Sequence, residues 1–380
     1  MKKNRFNTYV VGFDRTVFWS YFFLCVVGLI VMVDISSVQS SMTYFYKHLA
    51  FLLFSWVIAI LIVYFFNFEK LRFMNTWLVY LAIGMLIFVL LKGSTIKGAT
   101  RQISLGFVSF QPSFFARIAL VFFYANILAD KQETLQNTTN ILRFMENFPA
   151  LTLLTAIVFG LIFAEKHLST IIISGVTLLG MLFYAGIRKR ILALVLVVAV
   201  IGGVFIIKKG DDFRANRMDT YKRYSLFFKE RDLTESGSGD YQVRESLIAL
   251  TSGGLTGTGI SRGRAKHYYL PEVRTDYVYT IIGEEAGFLG AIIVFLLHSA
   301  IFFAAMRISF RQEDLYLKLL SSGMAMNVYC NVLVNTGVAM SILPPTGNTL
   351  PFISYGGSAL LMDSIAMGVI LNISANRRTV

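Results

Sequence analysis

Cysteine and histidine are scarce in this chain of 380 residues, which contains two cysteines and four histidines. Cys25 and Cys330 each lie inside a long apolar run, so neither a disulfide framework nor a thiolate metal site is expected. The four histidines have no spacing typical of metal ligands. The sequence therefore predicts no metal site built from these residues, and it excludes a small disulfide-stabilised secreted domain.

Charged residues are also scarce, since Asp, Glu, Lys and Arg make up 15% of the chain whereas 56% is hydrophobic. A chain of this length usually forms two or three soluble domains, but a mean hydropathy of +0.63 indicates a membrane protein. Apolar runs of about 20 residues, enough to cross roughly 30 Å of hydrocarbon, recur from Val17 onward. We therefore predict an all-α, polytopic membrane helix bundle that forms a single domain over residues 1–380.

The apolar runs predict about ten membrane-crossing helices. Their predicted ranges are 17–34, 46–67, 73–92, 112–129, 148–164, 167–187, 190–207, 277–306, 314–342 and 352–374. The first run follows basic residues and resembles the core of a secretion signal, but it is longer than such a core and no small-x-small cleavage site follows it. We interpret it as a membrane helix.

Short basic connections predict the orientation of the bundle. With ten helices, the basic connections all fall on one side: the N-terminus, 69–72, the stretch with Lys131 and Arg143, 188–190, 307–311, and the terminal Arg377 and Arg378. The positive-inside rule makes that side the cytoplasm, so both termini are predicted to be cytoplasmic. The net charge of +13 is spread over these loops and does not indicate nucleic-acid binding. The opposite side receives a large extracytoplasmic loop, residues 208–275.

Acidic residues stand out in the segment KHYYLPEVRTDYVYTIIGEEAGFLG, residues 266–290. Asp276 is predicted at the outer interface where a helix begins, and Glu284 and Glu285 lie roughly 12 Å deeper at 1.5 Å per residue. Carboxylates at membrane depth are costly and are therefore candidates for function. The alternatives are a helix N-cap for Asp276 and a structural pair for the two glutamates. The neighbouring basic residues, which are Arg262, Arg264, Lys266 and Arg274, have the alternative of a solvated fringe.

Two further segments interrupt the helical pattern. Residues 334–360, VNTGVAMSILPPTGNTLPFISYGGSAL, combine prolines and glycines with Ser354 and Ser358, which predicts a loop packed against a binding cavity or, alternatively, an architectural hinge. Residues 246–260, SLIALTSGGLTGTGI, predict a re-entrant or interfacial element of non-helical glycine backbone within the large loop.

These segments resemble the SEDS family (shape, elongation, division and sporulation), whose members include FtsW and RodA. The resemblance covers nearly the whole chain, with matching pieces in the family's order: KGATRQISLGFVSFQPSFFARIAL, AEKHLSTIIISG, SLIALTSGGLTGTGISRGRAK, LPEVRTDYVYTIIGEEAGFLGA and TGNTLPFISYGGSAL. Thr349 and the SRGRAK string are more similar to the FtsW type than to the RodA type.

The resemblance implies a peptidoglycan glycosyltransferase that polymerises lipid II into β-1,4 glycan on the outer face of the bacterial cytoplasmic (inner) membrane. An FtsW-type member implies septal cell-wall synthesis in cell division, whereas a RodA-type member implies cell shape. The family's acidic residue in the LPE-x-x-TD motif falls on Asp276, and its implied role is general base toward the acceptor hydroxyl.

A lipid diphosphate leaves as a stabilised anion, so the reaction asks for charge compensation and not for a second acid. The candidates for binding this diphosphate are Arg101, Arg117, Lys166, Arg262 and Lys266. A divalent cation, Mg²⁺ or Mn²⁺, is a further candidate, although no motif indicates one. The candidate supporting residues are Glu165, Glu284, Glu285, Ser354 and Ser358.

The chain departs from the family pattern in two places. Where the family commonly has QPSE-x-x-K, this sequence has Phe114 and Arg117, so the usual carboxylate is absent and the positive charge is kept. Where Pro-Asp is frequent after position 165, it has Lys166 and His167. We therefore do not expect a mechanism that needs a carboxylate at 114.

The leading alternative function is a lipid II flippase, which would also use charged residues and broken helices within the membrane. Against it, the sequence has no evident inverted repeat, and its charged residues cluster toward one face. A scaffold that holds a partner enzyme is a weaker alternative. The resemblance also implies a partner, a class B penicillin-binding transpeptidase with a single membrane helix.

Overall fold

The computed structural model describes residues 8–38, 42–96, 99–104, 109–208, 212–225, 227 and 238–379. Its helices are α1 (Arg15–Val38), α2 (Thr43–Phe65), α3 (Asn75–Lys92), α4 (Pro112–Asp130), α5 (Gln132–Asn137), α6 (Ile141–Asn147), α7 (Pro149–Ala164), α8 (Leu168–Ala185), α9 (Lys189–Lys208), α10 (Asp212–Tyr224), α11 (Ser238–Gly253), α12 (Val278–Glu285), α13 (Gly287–Phe310), α14 (Leu315–Ala339) and α15 (Gly357–Ser374). Its strands are β1 (Thr8–Gly12), β2 (Ser94–Ile96), β3 (Ala99–Ser104), β4 (Ser109–Phe110) and β5 (Asn376–Thr379).

Eight of the described helices are long and apolar enough to cross a membrane: α1, α2, α3 with the turn before it, α4, α8, α13, α14 and α15. The bent pair α6 and α7, which meet at 98°, adds a ninth if the two form one span. The 20-residue α9 occupies the remaining predicted position. A helix therefore stands at each of the ten predicted positions, and the prediction of an all-α polytopic bundle is confirmed.

The bundle has two opposite faces. At the terminal face, β1 pairs antiparallel with β5, and the Asp14 amide donates to Ser374 Oγ at 3.1 Å. At the other face, which we call the site face, α1, α3, α7 and α14 end while α2, α4, α8 and α15 begin. The strands β2, β3 and β4 form a small sheet there. Because the two termini pair with each other, they lie on the same face of the bundle.

The helices α4 and α15 form the centre of the bundle, with 78% of each apolar window buried. Close packing of α15 on α2 depends on small residues, since a Cβ at Gly368 would lie 3.0 Å from Ala59 Cα. Asn372 of α15 donates its amide to the Ile62 carbonyl of α2 at 2.7 Å. Polar side chains on α4 and α15 therefore face protein and not lipid.

The predicted helix 277–306 is wrong as a single helix, because it is divided between α12 and α13. Gly287 has φ of +67°, a left-handed conformation that ends the run. The glycine turn after α11 reaches this break: Gly254 O accepts from the Phe288 amide at 2.9 Å, and the Thr258 amide donates to Glu284 O at 2.9 Å. This turn therefore satisfies backbone groups at both broken helix ends.

The break places the two glutamates at a helix end. Glu284 and Glu285 close α12, and the long apolar helix begins two residues later at Gly287, so their depth of roughly 12 Å beyond Asp276 stays a prediction. The predicted glycine element is likewise half helical, because α11 continues to Gly253 before the turn begins. The predicted large loop contains both α10 and α11, and its residues 209–211, 226 and 228–237 lie outside the described residues.

Candidate functional site

Asp276 lies at the site face in the turn before α12. Its amide donates to Glu272 O at 3.1 Å, and its carbonyl accepts from Asn335 Nδ2 at 2.9 Å. A Cβ at Gly347 would lie 3.4 Å from the carboxylate oxygen Oδ2, so this glycine closely approaches the acid. The half-buried carboxylate is thus positioned by α14 and by the 342–355 loop.

The N-cap alternative for Asp276 is not supported. Tyr277 occupies the N-cap position of α12, and no side chain in the described part of the chain caps that helix. The Asp276 carboxylate therefore does not cap the first turn of α12.

Arg217 on α10 is a site residue that the sequence analysis missed. Its Nη1 donates to the carbonyls of Pro345 at 3.2 Å and Thr346 at 3.5 Å, next to Gly347. Burial lowers the pKa of Arg217 below its usual range, and the carboxylate of Asp276 opposes that effect. The structure thus brings a cation from the large loop to the predicted base.

A helical spacing offers a signal that would have identified Arg217. Four residues later on α10, the Tyr221 hydroxyl donates to Ile342 O at 2.9 Å. Positions i and i+4 share a helix face, so RANRMDTYKRY in helical form presents Arg217 and Tyr221 together. Which segment this face contacts cannot be read from the spacing.

Three predicted site residues meet at the turn between α7 and α8. Arg101 of β3 donates to the carbonyl oxygens of Glu165, at 3.1 Å, and of Lys166. Lys166 is exposed, with φ of +59°. The Glu165 carboxyl is 1% exposed, and among described atoms its oxygens have no hydrogen-bond partner. Burial raises the pKa of Glu165 to about 8, although nearby Arg101 lowers it.

His167 joins this turn to the start of α4. Its Nδ1 lies 2.9 Å from Thr170 Oγ1 and 3.0 Å from both Ser113 Oγ and Gln111 Nε2. Burial lowers the pKa of His167 to about 3, and the positive charges of Arg101, Arg117 and Arg217 act in the same direction. The imidazole is therefore neutral, and the nearby guanidinium groups of Arg101 on β3 and Arg217 on α10 make this part of the site face electropositive.

Ser354 and Ser358 position backbone segments around the site. Ser354 Oγ donates to Thr275 O at 2.6 Å and accepts from the Leu350 amide at 2.8 Å. Ser358 Oγ donates to Ser109 O and accepts from the Gln111 amide, both at 3.0 Å. The 334–360 segment thus packs directly against the residues that carry Asp276.

Lys266 does not join the cations near Asp276. Its Nζ lies 2.6 Å from Asp34 Oδ1 and 2.6 Å from Glu285 Oε1, and its side chain has no exposed surface. Ser261 Oγ also donates to Asp34. Because its ammonium is held between two carboxylates, the geometry argues against the predicted role of Lys266 in binding diphosphate.

Glu284 and Glu285 act as hydrogen-bond acceptors for the SRGRAK string, as in the structural alternative. Glu284 accepts from the Arg264 amide at 2.7 Å, and Glu285 accepts from the Gly263 amide at 3.1 Å. Arg262 is exposed on this string. The string contacts the C-terminal end of α12, whereas Asp276 precedes the N-terminal end, and the eight residues of this helix span roughly 12 Å.

Arg117 is also buried and does not reach the surface of the site face. It is 2% exposed, its guanidinium carbon lies 5.1 Å from the centre of the Phe114 ring, and its Nη2 lies 3.9 Å from Asp363 Oδ1. Direct contact with a diphosphate at the surface is not supported for this residue. In the described ranges, no three His, Cys, Asp or Glu side chains come together as a metal site.

Comparison with known proteins gives one family. The family described as "Cell cycle protein", FTSW_RODA_SPOVE, matches residues 15–379. The stage V sporulation protein E of Bacillus subtilis is 34% identical over 310 residues, which are 80% of this chain and 80% of that protein. The probable peptidoglycan glycosyltransferase FtsW of Coxiella burnetii is 31% identical over 381 residues, covering 94% of this chain and 97% of that protein.

Solved structures share the fold. A chain from "Structural coordination of polymerization and crosslinking by a peptidoglycan synthase complex" superposes with a TM-score of 0.76 at 22% identity, covering 96% of this chain and 98% of that one. The rod shape determining protein RodA of Thermus thermophilus has a TM-score of 0.67 at 23% identity, covering 96% and 97%. With the family match over residues 15–379, these similarities establish that the chain belongs to the FtsW/RodA/SpoVE family of cell cycle proteins.

Proposed function

We propose that this chain is a peptidoglycan glycosyltransferase that polymerises lipid II into β-1,4 glycan on the outer face of the cytoplasmic membrane, in septal wall synthesis. Family membership over residues 15–379 and relatives named probable peptidoglycan glycosyltransferase FtsW support this function. The observation that carries it is the Asp276 carboxylate beside Arg217 at the face opposite the termini.

Asp276 acts as general base in this reaction. Its carboxylate removes the proton from the 4-hydroxyl of the acceptor sugar as that oxygen attacks the anomeric carbon of the growing chain. The bond between the anomeric carbon and the diphosphate oxygen breaks, and the lipid diphosphate leaves with the electron pair. Attack from the face opposite the leaving group inverts the α-linked donor to a β-linked product.

Arg217 and Arg101 bind the departing diphosphate, and the exposed Lys166 adds charge at the rim. Preorganised cations stabilise an anion that develops in the transition state, because they need no reorganisation when the bond breaks. Arg217 is already oriented by the Pro345 and Thr346 carbonyls, and Arg101 by the turn at Glu165. Arg262 remains a prediction for a second, separate contact.

A divalent cation is part of the same proposal. Mg²⁺ is usually held by one or two carboxylates together with substrate phosphates. The described residues supply no cluster of three ligands, so Mg²⁺ or Mn²⁺ would depend on diphosphate oxygens together with Asp276. Either ion would add positive charge near the leaving group.

Both termini lie in the cytoplasm in this proposal, and the site face is extracytoplasmic. Basic residues in the connections of the terminal face support this orientation through the positive-inside rule. The partner is a class B penicillin-binding transpeptidase, and similarity to a chain of a peptidoglycan synthase complex supports a partner of this kind.

Purified protein given labelled lipid II tests the activity. We expect a ladder of glycan chains on a gel, and Asp276→Ala is expected to abolish the ladder because no base remains. Glu133→Ala, an exposed acid on α5 away from the site, is the matched control and keeps full activity. Normal ladders from folded Asp276→Ala protein would show that the assigned base is wrong.

A second measurement distinguishes the flippase alternative from the glycosyltransferase. Protein in sealed vesicles would move labelled lipid II between leaflets, and a transporter would do so without extending glycan. Transfer without polymerisation, also with the transpeptidase partner present, would replace the glycosyltransferase proposal.

A further inference from the structure

Arg117 and Asp363 form an ion pair at the centre of the bundle that the proposed reaction does not use. Arg117 is on α4 and Asp363 on α15, and they are 2% and 1% exposed. Their closest atoms, Arg117 Nη2 and Asp363 Oδ1, are 3.9 Å apart. This distance gives electrostatic attraction but exceeds that of a hydrogen bond.

The polar atoms of this pair are not satisfied by the protein. Within the described residues, none of the three guanidinium nitrogens of Arg117 and neither carboxylate oxygen of Asp363 has a hydrogen-bond partner. Buried polar groups are almost always bonded to protein or to water, and an unpaired buried charge is costly. A gap beyond 3.5 Å between two such groups is the usual place for a bridging water.

Neighbouring helices bring further unpaired polar atoms to the same level. A Cβ at Gly323 of α14 would lie 2.7 Å from Val121 of α4, and these two helices run in opposite directions. One turn nearer the site face, α14 therefore brings Asn327 level with Arg117. Both amide atoms of Asn327 also lack a partner among the described residues. The surroundings of the ion pair are thus polar enough to hold water.

In the part of the chain that the structure describes, polar contacts at two levels of the bundle connect α4 with α15. At the site face, the Gln111 amide before α4 donates to Ser358 Oγ of α15 at 3.0 Å. Inside the bundle, the second contact is the Arg117–Asp363 ion pair. The start of α4 also carries Ser113, whose Oγ lies 3.0 Å from Nδ1 of His167. Loss of the Arg117–Asp363 pair would therefore shift the start of α4, whose residues support the electropositive site.

We propose that Asp363 is the counter-ion of Arg117 and that this water-bridged pair holds α4 and α15 in the alignment the site requires. Asp363 is then a positioning residue for the proposed glycosyltransferase, and this part of the inference rests on that function. The pairing of Arg117 with Asp363 and its effect on stability do not depend on the proposed function.

Phe114 makes the proposal testable. It lies one turn before Arg117 on α4, with its ring centre 5.1 Å from the guanidinium carbon. Residues three apart on a helix are neighbours on its surface, so a carboxylate at 114 would also reach Arg117. A glutamate at this position should therefore replace the aspartate that α15 supplies.

The experiment compares detergent-purified parent protein with Asp363→Leu, Asp363→Asn, Asp363→Leu/Phe114→Glu and Asp363→Leu/Phe114→Gln. Removing one partner of a buried pair is strongly destabilising, so we expect both single variants to unfold at a temperature about 5 °C or more lower. Misplaced groups slow a reaction up to about a hundredfold, so we expect roughly tenfold lower kcat with little change in KM.

The glutamate variant is expected to recover both unfolding temperature and kcat, and the glutamine variant neither. Single variants that match the parent would overturn the proposal, as would equal recovery by glutamine, or no recovery by glutamate. If Asp363→Leu yields no folded protein, Asp363→Asn, which keeps the side-chain volume, gives the same comparison. A parent that is inactive also with the transpeptidase partner present would disprove the proposed function and leave the unfolding temperatures as the test of the pair.

Discussion

At the scale of single residues, Arg217 and Asp276 determine what the site face can bind. The Asp276 carboxylate supplies a proton acceptor, and the Arg217 guanidinium near it supplies positive charge for an anion. Arg101 extends the positive region, next to the His167 imidazole that burial keeps neutral. The site therefore combines one proton acceptor with several fixed cations, which suits attack by a hydroxyl on a diphosphate-linked sugar.

Arg217→Gln is expected to lower kcat/KM for lipid II by about tenfold to a hundredfold, because one preorganised donor to the leaving diphosphate is lost. Glycan formation at varied lipid II concentration measures this change. Lys222→Gln, an exposed basic residue on the same helix, is the control and keeps parental kinetics. If both variants behave alike, general attraction by α10 and not a specific contact explains the effect.

Glu165 predicts a pH dependence of stability. Its pKa is about 8 in the folded state and near 4.5 when exposed, so the folded state binds more protons between these values. Its contribution therefore becomes less favourable as pH rises from about 4.5 to 8 and is constant above that. Glu165→Gln removes this pH-dependent contribution to stability. The unfolding temperature of the variant, relative to that of the parent, is therefore expected to rise between pH 5 and pH 9. A difference that does not vary with pH contradicts the assigned protonation.

At the scale of elements, the break between α12 and α13 shapes the site face. The glycine turn bonds to both helix ends, while Glu284 and Glu285 hold the SRGRAK string against the same junction. Asp276 stands at the other end of α12, so this short helix transmits the position of the junction to the base. The glycines of the turn are needed because backbone meets backbone there.

Gly257→Ala is expected to destabilise the protein by about 3 kcal/mol, since a Cβ would lie against the Glu285 carbonyl and φ is +84°. In Gly254→Ala the added Cβ would contact no other atom, so only the left-handed φ of +54° destabilises the protein, by about 1 kcal/mol. Gly84→Ala, in open space within α3, is the control and costs nothing. Denaturation of the three variants in detergent gives the ranking, and similar values for Gly257 and Gly254 would disprove the close approach.

At the scale of the whole molecule, the surface of the bundle is apolar around its middle. Large side chains near the middle of the helices, such as Phe54 of α2 at 56% exposed and Leu81 of α3 at 55%, face outward. An exposed apolar surface of this extent requires lipid as its solvent. The charged chemistry is consequently confined to the two faces and to the pairs in the interior.

The orientation predicts the behaviour of reporter fusions. Alkaline phosphatase is active only outside the cytoplasm, so a fusion after Thr379 at the terminal face is expected to be inactive. An insertion between Phe227 and Ser238, in the large loop, is expected to be active. Activity measured in whole cells at equal expression tests both, and the reverse result would invert the bundle.

The sequence by itself determined the helices and the position of the candidate base. Hydrophobic runs are local, so each of the ten predicted positions holds a helix, and Asp276 lies at the start of a helical segment as its motif predicts. The break at Gly287 was not predictable in this way, because it depends on the close approach of the turn at Gly257.

Only the tertiary structure decided which charges meet. Lys266 lies with Asp34, Arg117 with Asp363 and Arg217 with Asp276, and each pair joins segments that are distant along the chain. An apolar run contains no information about which neighbour its polar residues will face, since that depends on how helices pack. The same basic side chain can therefore bind a substrate or neutralise a buried acid, and packing selects between the two.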